Sequence, residues 1–272
     1  MDGLGPFLAS EAVDGLLPWA AQVQAAERFN IGLAAVEDWA LAAGILPARY
    51  ARNRQTLSVQ QQLTLCRSAV AVVGCGGLGG YLIEQLARLG VGRIVAIDPD
   101  CFEEHNLNRQ ILSSPANLGE AKVDIARRRV ASINPAVVLV AIRAAFAPGR
   151  EDMLDGVGVV ADGLDTIAGR LDLARTCRRL GLALVHGAIA GWYGQIAVEY
   201  ADAPVLERLY AQGGEGGAER RLGNPAFTPA VIASLQVAEI CKILLGLDGR
   251  LRGRAIRVDL LDMSFDDINL AD

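Results

Sequence analysis

The sequence predicts an α/β fold in which helices cover both faces of a mostly parallel β-sheet. Short apolar runs alternate with longer amphipathic segments between residues 69 and 190, and this alternation is typical of parallel strands joined by helices. A glycine-rich segment, VGCGGLGG, follows the first apolar run and opens a helical pattern. After residue 190 the pattern changes, and we expect antiparallel strands to extend the sheet.

The alternating region supplies the strands and helices of the predicted parallel sheet. Each strand is a short run made mostly of Val, Ile, Leu and Ala, which suits burial on both faces of a sheet. The predicted strands are 69–74, 93–98, 137–143, 157–162 and 182–190, and the predicted helices between them are 78–90, 119–133 and 166–180.

The C-terminal part combines three further strands with one helix. Residues 201–227 are polar and rich in glycine, which predicts a mobile crossover loop. Thr228 and Pro229 predict the N-cap and the first position of a helix that ends at Gly246. The predicted strands on either side of this helix are 194–200, 255–261 and 264–270.

The N-terminal part is alanine-rich and predicted to be helical. Residues 14–45 carry apolar side chains at helical spacing, and a basic linker over 49–55 and a short helix over 58–67 follow. We therefore expect a helical N-terminal appendage, residues 1–48, and an α/β domain, residues 49–272.

Composition and charge argue against several classes of protein. The net charge of −5 disfavours general nucleic-acid binding, and we see no apolar run long enough to span a bilayer. The N-terminus has acids where a signal peptide needs positive charge. The five cysteines form no C-x-x-C pair, so we predict reduced thiols and no zinc site. We expect a cytoplasmic protein that binds neither nucleic acid nor membrane.

The glycine-rich turn predicts a nucleotide site. Gly74, Gly76 and Gly79 match G-x-G-x-x-G between a strand and a helix, and Asp98 ends the next strand. Phosphate groups can approach the backbone amides of such a turn, and the acid can bind ribose hydroxyls. This arrangement makes the predicted sheet Rossmann-like. It does not separate NAD from ATP, because both contain an adenosine ribose.

Charged residues beyond the ribose acid favour a triphosphate. Arg109, Lys122 and one arginine of the 49–54 segment are candidates to neutralise phosphates. Asp162 is the last residue of the predicted fourth strand, and Asp165 follows it at the ligand edge of the sheet. We expect Asp165 to bind Mg²⁺ and Asp162 to have a structural role, although Asp165 is also a candidate N-cap for the next helix.

Together these motifs resemble the MoeB/ThiF/HesA family, bacterial relatives of the ubiquitin-activating enzymes. The resemblance extends from about Arg49 to the C-terminus and rests on RYARN, VGCGGLGG, IDPD, NLNRQ, GEAK, VVADGLD, HGAIAGWYGQ and SLQVAEICKILLG. It implies ATP-dependent adenylation of the C-terminal glycine of a small β-grasp carrier protein ending in Gly-Gly, with release of pyrophosphate. It also implies a homodimer, because an arginine of one subunit reaches the ATP of the other.

The resemblance also implies which residues form the site. Asp165 would bind Mg²⁺, and the residues that would bind the nucleotide are Gly74, Gly76, Gly77, Gly79, Asp98, Asp100, Asn106, Arg109, Gln110 and Lys122. Arg109, Lys122 and Asp165 would also take part in catalysis. The arginine acting across the dimer is Arg52 if the family's Arg-Tyr pair is retained and Arg54 if its Arg-Gln pair is retained. We choose Arg52.

The predicted chemistry needs no side-chain base, because the carrier carboxylate is already ionised at neutral pH. Of the two histidines, His186 is expected in the core, and His105 is the one near the predicted site. Residues 201–227 contain no cysteine, and we interpret Cys101 as a packed thiol. The hypothesis is therefore adenylation without a covalent cysteine step on this chain.

Three alternatives stay open. An NAD(P)-dependent oxidoreductase would explain the glycine turn and Asp98 but not Arg109 and Lys122. A relative that modifies tRNA should have a basic surface, which this acidic chain lacks. A non-catalytic scaffold would have no need of Arg109, Lys122 and Asp165.

Overall fold

The computed structural model describes residues 3–211, 222–247 and 251–271. The strands within these ranges are β1 (Leu16–Leu17), β2 (Leu46–Pro47), β3 (Ala69–Val73), β4 (Arg93–Ile97), β5 (Val138–Ile142), β6 (Val159–Asp162), β7 (Ala183–Ala190), β8 (Tyr193–Glu199), β9 (Arg254–Asp259) and β10 (Ser264–Asn269). The α-helices are α1 (Leu4–Glu11), α2 (Trp19–Phe29), α3 (Leu33–Ala42), α4 (Val59–Cys66), α5 (Gly77–Leu89), α6 (Lys122–Ile133), α7 (Ile167–Leu180), α8 (Leu206–Tyr210) and α9 (Phe227–Leu244).

The central sheet has eight strands in the order β10-β9-β8-β7-β6-β3-β4-β5. The five strands from β7 to β5 are parallel, and β8, β9 and β10 are joined to them by antiparallel pairing. This order confirms the predicted α/β fold with a mostly parallel sheet and an antiparallel C-terminal extension.

The two faces of the sheet carry separate cores. Alternate residues of a strand point to opposite faces, so Val70 and Val72 pack with α5 and α9 while Ala71 and Val73 pack with α7. Both sets are completely or almost completely buried. The strands are apolar on both faces because helices cover both, which is why they form continuous apolar runs in the sequence.

The N-terminal appendage is built from α1, α2 and α3 around its own small core. The predicted helical region over 14–45 contains two helices: α2 ends at Phe29, its C-cap Asn30 is a left-handed residue with φ of +50°, and α3 begins at Leu33. Asn tolerates this conformation and ends the helix as a glycine would. The side chain of Tyr50 connects this part to the sheet domain, since it donates to Glu37 Oε1 at 2.7 Å and accepts from Asn134 at 2.9 Å.

The helix α9 begins at Phe227, two residues earlier than predicted, and Thr228 is not its N-cap. The N-cap is Ala226, which offers no side-chain hydrogen bond. The hydroxyl of Thr228 is buried and donates to the carbonyl oxygen of Gly191 at 2.6 Å, so a tertiary bond to the β7–β8 turn replaces local capping. The helix α9 is long and apolar enough to cross a membrane by length and composition alone, but in this structure it packs against α5 and β7.

The predicted loop over 201–227 is only partly described. Its first residues contain the short helix α8, and residues 212–221 lie outside the described ranges.

Candidate functional site

A cleft of about 390 Å³ lies where β3, β4 and β6 end. Parallel strands have their carboxyl ends at one edge of a sheet, so loops distant in the sequence meet there. The cleft brings together most of the predicted site residues, namely Gly74, Gly76, Gly77, Asp98, Asp100, Arg109, Gln110, Lys122 and Asp165. Three predicted residues, Arg52, Gly79 and Asn106, are not part of its lining.

The glycine turn lets backbone approach backbone at the base of the cleft. Gly74 has φ of +89°, and a side chain there would overlap the backbone of Gly163. A Cβ at Gly79 would overlap the carbonyl oxygen of Gly74, so Gly79 is required for the packing of α5 against the turn. The N-cap Gly76 provides no side-chain hydrogen bond to α5. The first amides of α5 are therefore available to an anionic group.

Asp98 follows β4 and is buried in the cleft wall. Its Oδ2 accepts a hydrogen bond from the amide of Cys75 at 2.6 Å, and its Oδ1 accepts one from the amide of Asp100 at 2.8 Å. Burial raises the pKa of Asp98, and the two hydrogen bonds and the Lys122 ammonium oppose this effect. The carboxylate is fixed in orientation, and each oxygen has a further acceptor position that suits a ligand hydroxyl.

Lys122 is a buried cation of the cleft that pairs with Asp100 and also opposes the rise in the pKa of Asp98 that burial causes. Its side chain is only 9% exposed, and its Nζ lies 3.0 Å from Oδ2 of Asp100, whose side chain is 63% exposed. The amide of Lys122 also donates to the carbonyl oxygen of Asp100 at 3.0 Å. Because a buried ammonium has lost much of its hydration, it gains from an anionic partner. A polyphosphate in the cleft would be such a partner.

Arg109 lines the cleft and lies in a loop that is stabilised by hydrogen bonds among its own residues. Its Nη1 donates to the carbonyl oxygen of His105 at 2.8 Å and to Oδ1 of Asn108 at 2.9 Å. Asn106 is buried, and its Oδ1 accepts the amide of Glu103 at 3.0 Å. Asn106 therefore stabilises the turn that carries Arg109, and in this structure its side chain does not line the cleft.

Two side-chain amides in the cleft wall have oxygens without partners among the described residues. One is Oε1 of Gln110, a buried residue whose Nε2 faces the glycine turn near Gly76. The other is Oδ1 of Asn224, which sequence reasoning did not identify. The backbone of Asn224 is bound to the loop that carries Arg109, because Asn108 donates to its carbonyl oxygen at 3.1 Å. Unsatisfied polar atoms in a cleft wall suit a polar ligand.

Asp165 lies exposed at the cleft edge, in the loop between β6 and α7. The N-cap of α7 is Thr166, whose Oγ1 accepts the amide of Gly169 at 3.3 Å, so Asp165 does not have the capping role. Within the described ranges, no three His, Cys, Asp or Glu side chains converge as a metal cluster. A metal ion here would need ligands from the nucleotide as well as from Asp165.

Arg170 is a cleft residue that sequence reasoning missed. It is buried in α7, and its Nε and Nη2 donate to the carbonyl oxygen of Leu164 at 3.1 and 2.6 Å. It thereby holds the loop that carries Asp165. The available signal was its position in the first turns of the helix that follows the fourth strand, because that end of the helix adjoins the ligand edge.

The arginines of the basic segment differ in their surroundings. Arg49 donates to Oδ1 of Asn134 at 2.6 Å and lies over the ring of Trp19, so it has a structural role. Arg52 and Arg54 are exposed, and neither forms a hydrogen bond or an ion pair with a residue of the described ranges.

All five cysteines are free thiols. Burial raises the pKa of Cys66 and of Cys177 to about 12, and it also raises the pKa of Cys75. A thiol with a raised pKa is a poor nucleophile at neutral pH. Cys101 is half-buried, and its Sγ accepts a hydrogen bond from Arg143 at 3.3 Å.

Several proteins named as activating enzymes or adenylyltransferases are similar in sequence to this chain over most of its length. The chain is 32% identical over 226 residues to the SAMP-activating enzyme E1 of Haloferax volcanii, which covers 81% of this chain and 84% of that protein. It is 33% identical over 214 residues to the sulfur carrier protein adenylyltransferase of Thermus thermophilus, covering 75% and 79%. It spans about half of the adenylyltransferase and sulfurtransferase MOCS3 of Mus musculus, at 34% identity. None of these relatives is named as an oxidoreductase or a tRNA-modifying enzyme.

The fold is shared with a solved structure that contains ATP. The crystal structure of E. coli MccB with ATP matches with a TM-score of 0.66 and 19% identity, covering 82% of this chain and 71% of that one. The model of the ThiF family matches residues 50–272, which include every strand of the sheet and every residue of the cleft. The family match and the relatives agree with the resemblance seen in the motifs, and this chain belongs to the ThiF family.

Proposed function

We propose that this chain uses ATP to adenylate the C-terminal carboxylate of a small sulfur-carrier or ubiquitin-like protein, with release of pyrophosphate. The observation that carries the proposal is the cleft itself, which brings the buried Lys122, paired with Asp100, together with the oriented carboxylate of Asp98, with Arg109 and with Asp165. Activating enzymes and adenylyltransferases among the relatives support the same activity.

Each wall of the cleft fits one part of ATP. Asp98 would accept hydrogen bonds from the ribose hydroxyls, since burial and two amide donors fix its orientation. The first amides of α5 would contact the phosphates at the positive end of the helix. Arg109 and Lys122 would neutralise the polyphosphate, and Nε2 of Gln110, which faces the glycine turn, would donate a hydrogen bond to a phosphate or to the incoming carrier tail.

Magnesium fits the donor set of the cleft edge, where Asp165 would hold it together with phosphate oxygens. Mg²⁺ takes one or two carboxylates plus phosphate oxygens and water, so a lone carboxylate suffices. When bound, the ion would supply charge neutralisation for the leaving pyrophosphate.

The reaction is an in-line displacement at the α-phosphorus. A carboxylate oxygen of the carrier's terminal glycine forms the new P–O bond, the bond between the α-phosphorus and the bridging oxygen breaks, and pyrophosphate leaves with that electron pair. No proton has to be removed from the nucleophile. Catalysis is then positioning plus electrostatic stabilisation by Arg109 and Lys122.

We infer a homodimer in which Arg52 of one subunit reaches the ATP of the other. The support is the exposed guanidinium of Arg52, which lies outside its own cleft and pairs with no described residue. Adenylation without a covalent cysteine step is supported by the raised pKa values of Cys66, Cys75 and Cys177. The cytoplasmic location and the Gly-Gly terminus of the carrier stay predictions of the sequence.

The test is ATP–pyrophosphate exchange with candidate carriers ending in Gly-Gly. Exchange should require a carrier with a free C-terminal carboxylate, and Arg109→Ala and Asp165→Ala should each abolish it without unfolding the protein. Arg254→Ala is a matched control, because Arg254 lies on β9 outside the cleft. Labelled AMP should appear on the carrier and not on this chain. A carrier–cysteine adduct found by mass spectrometry would contradict the absence of a thioester step.

A further inference from the structure

A buried polar network lies directly behind the wall of the cleft that carries Asp165. It joins side chains from five different elements, Asp162 of β6, Arg170 of α7, His186 of β7, Gln195 of β8 and Tyr210 of α8. His186 Nδ1 lies 2.7 Å from Asp162 Oδ2, and His186 Nε2 lies 3.1 Å from the Tyr210 hydroxyl. Both Asp162 and His186 are completely buried.

The hydroxyl of Tyr210 is the centre of this network. It accepts hydrogen bonds from Arg170 Nη1 and from Gln195 Nε2, each at 3.2 Å. Neither of these two groups can accept a proton, so the single proton of the hydroxyl is donated to His186 Nε2. His186 is then neutral with its proton on Nδ1, which donates to Asp162. Burial lowers the pKa of His186 and so favours the same neutral state.

Two members of the network hold the residue that precedes Asp165. Oδ1 of Asp162 accepts the amide of Leu164 at 2.9 Å, and Arg170 donates twice to the carbonyl oxygen of Leu164. Both backbone polar groups of Leu164 are therefore bound by side chains that Tyr210 and His186 orient. The position of the neighbouring Asp165 is set through these bonds.

The helix that carries Tyr210 is itself anchored at its other end. Glu199, completely buried at the end of β8, accepts the amides of Val205 and Leu206 through Oε2 at 2.7 and 2.9 Å. Arg178 of α7 lies 3.5 Å from the second oxygen of Glu199. The helix α8 is thus bound at both ends to the same sheet and to α7, so the Tyr210 hydroxyl is held in a fixed place.

We propose that Tyr210 is a positioning residue for the Asp165 loop, acting through Arg170 and through the His186–Asp162 pair. This inference rests on the proposed function, because that function is what assigns Mg²⁺ and ATP binding to Asp165. Tyr210 does not line the cleft, so it acts on the reaction only through the residues that it orients.

The test measures the Mg²⁺ dependence of ATP binding by calorimetry, which needs no carrier. We expect Tyr210→Phe to raise the half-saturating Mg²⁺ concentration about tenfold, since the change removes the hydroxyl group that orients Arg170 Nη1 and Gln195 Nε2. Tyr200→Phe is the matched control. Tyr200 is half-buried beside Arg252, outside the cleft and the network. Its replacement by Phe should therefore leave the Mg²⁺ dependence unchanged.

A second comparison separates positioning from a general loss of structure. In an Asp165→Asn background, Tyr210→Phe should add little to the Mg²⁺ requirement, because the residue on which it acts is already changed. An additive effect in that background, or an unchanged Mg²⁺ requirement in Tyr210→Phe alone, would overturn the inference. So would ATP binding by the unmodified protein that does not depend on Mg²⁺.

These outcomes are independent of the carrier. If no carrier supports pyrophosphate exchange but Tyr210→Phe shifts the Mg²⁺ dependence as described, the proposed function fails and the positioning role of Tyr210 stands.

Discussion

The ammonium of Lys122 lies 3.0 Å from the carboxylate of Asp100, and only one of these two charges is buried. The lysine has lost most of its contact with water while the aspartate has kept it. In the absence of ligand Asp100 partly neutralises the lysine, and its exposed carboxylate can turn to solvent when a stronger anion enters. The pair therefore keeps a desolvated cation ready at the nucleotide cleft.

Replacing Lys122 should remove activity with little loss of stability. We expect Lys122→Met to lower the rate of ATP–pyrophosphate exchange about 100-fold or more, because a preorganised cation at the phosphates is lost. The folded state should tolerate the change, since a buried ammonium gives way to an apolar side chain of similar length. Exchange kinetics and thermal unfolding check the two parts.

The chain offers one matched control for this change. Lys242 is the other lysine of the sequence and pairs with Glu239 on α9, away from the cleft. Lys242→Met should leave the exchange rate of the folded protein unchanged. Equal loss of exchange in the two variants would contradict a specific role for Lys122.

Asp98→Asn should weaken nucleotide binding without abolishing it. In Asp98 one carboxylate oxygen accepts the amide of Cys75 and the other accepts the amide of Asp100. The asparagine side chain keeps only one acceptor oxygen, so one of these bonds, and the ribose contact made by the same oxygen, is lost. We expect the Kd for ATP to rise about tenfold, as for the loss of one charged hydrogen-bond acceptor. Calorimetry with ATP and with 2′-deoxy-ATP checks the assignment to the ribose. Discrimination between these nucleotides should shrink in the variant, and unaltered discrimination would argue against it.

The arginine that acts across the dimer can be identified by mixing inactive variants. Arg52→Ala and Asp165→Ala should each be inactive alone, but random exchange of their subunits should restore about a quarter of the activity, because half of the dimers then contain one intact site. An arginine that acts within its own subunit would restore nothing. Arg54→Ala decides between the two arginines. If Arg52 acts across the dimer, Arg54→Ala should be active by itself; if Arg54 does so, Arg54→Ala should be inactive alone and regain activity when mixed with Asp165→Ala.

Stability should fall in mildly acidic solution because of His186. In the unfolded chain a histidine takes up a proton with a pKa of about 6.5. Burial lowers the pKa of His186 in the folded state, so below that pH the unfolded state binds more protons. Its contribution to stability is complete above about pH 6.5 and is lost as the pH falls toward the lowered pKa.

Urea unfolding at pH 7.5 and at pH 5.5 checks this expectation. The decrease in the free energy of unfolding between the two pH values should be smaller in His186→Gln, which cannot titrate. The exposed His105 is present in both proteins and cancels in the comparison. Glu37 and Asp98 act in the opposite direction, because burial raises the pKa of both carboxyls and the folded state then binds more protons on acidification. An identical decrease in both proteins would contradict the assignment to His186.

The sequence by itself determined the sheet and most of the cleft. Strands buried on both faces must be apolar throughout, so β3, β4 and β6 were visible as continuous runs. The residues that follow such strands meet at one edge, which is why Asp98 and Asp165 could be assigned to one site before any coordinates were known. Lys122 and Arg109 were assigned on ordered motifs rather than on periodicity, and they line the same cleft.

Only the tertiary structure decided which polar side chains face the cleft and which support it. Neighbours in one loop differ: Gln110 lines the cleft while Asn106 bonds to its own turn. Thr228 has the sequence of an N-cap, but its hydroxyl donates to the β7–β8 turn. Arg170 and Tyr210 lie far apart in the sequence and meet because α7 and α8 pack on the same face of the sheet. Hydrogen-bond partners of this kind depend on distances between elements, which local patterns along a chain do not contain.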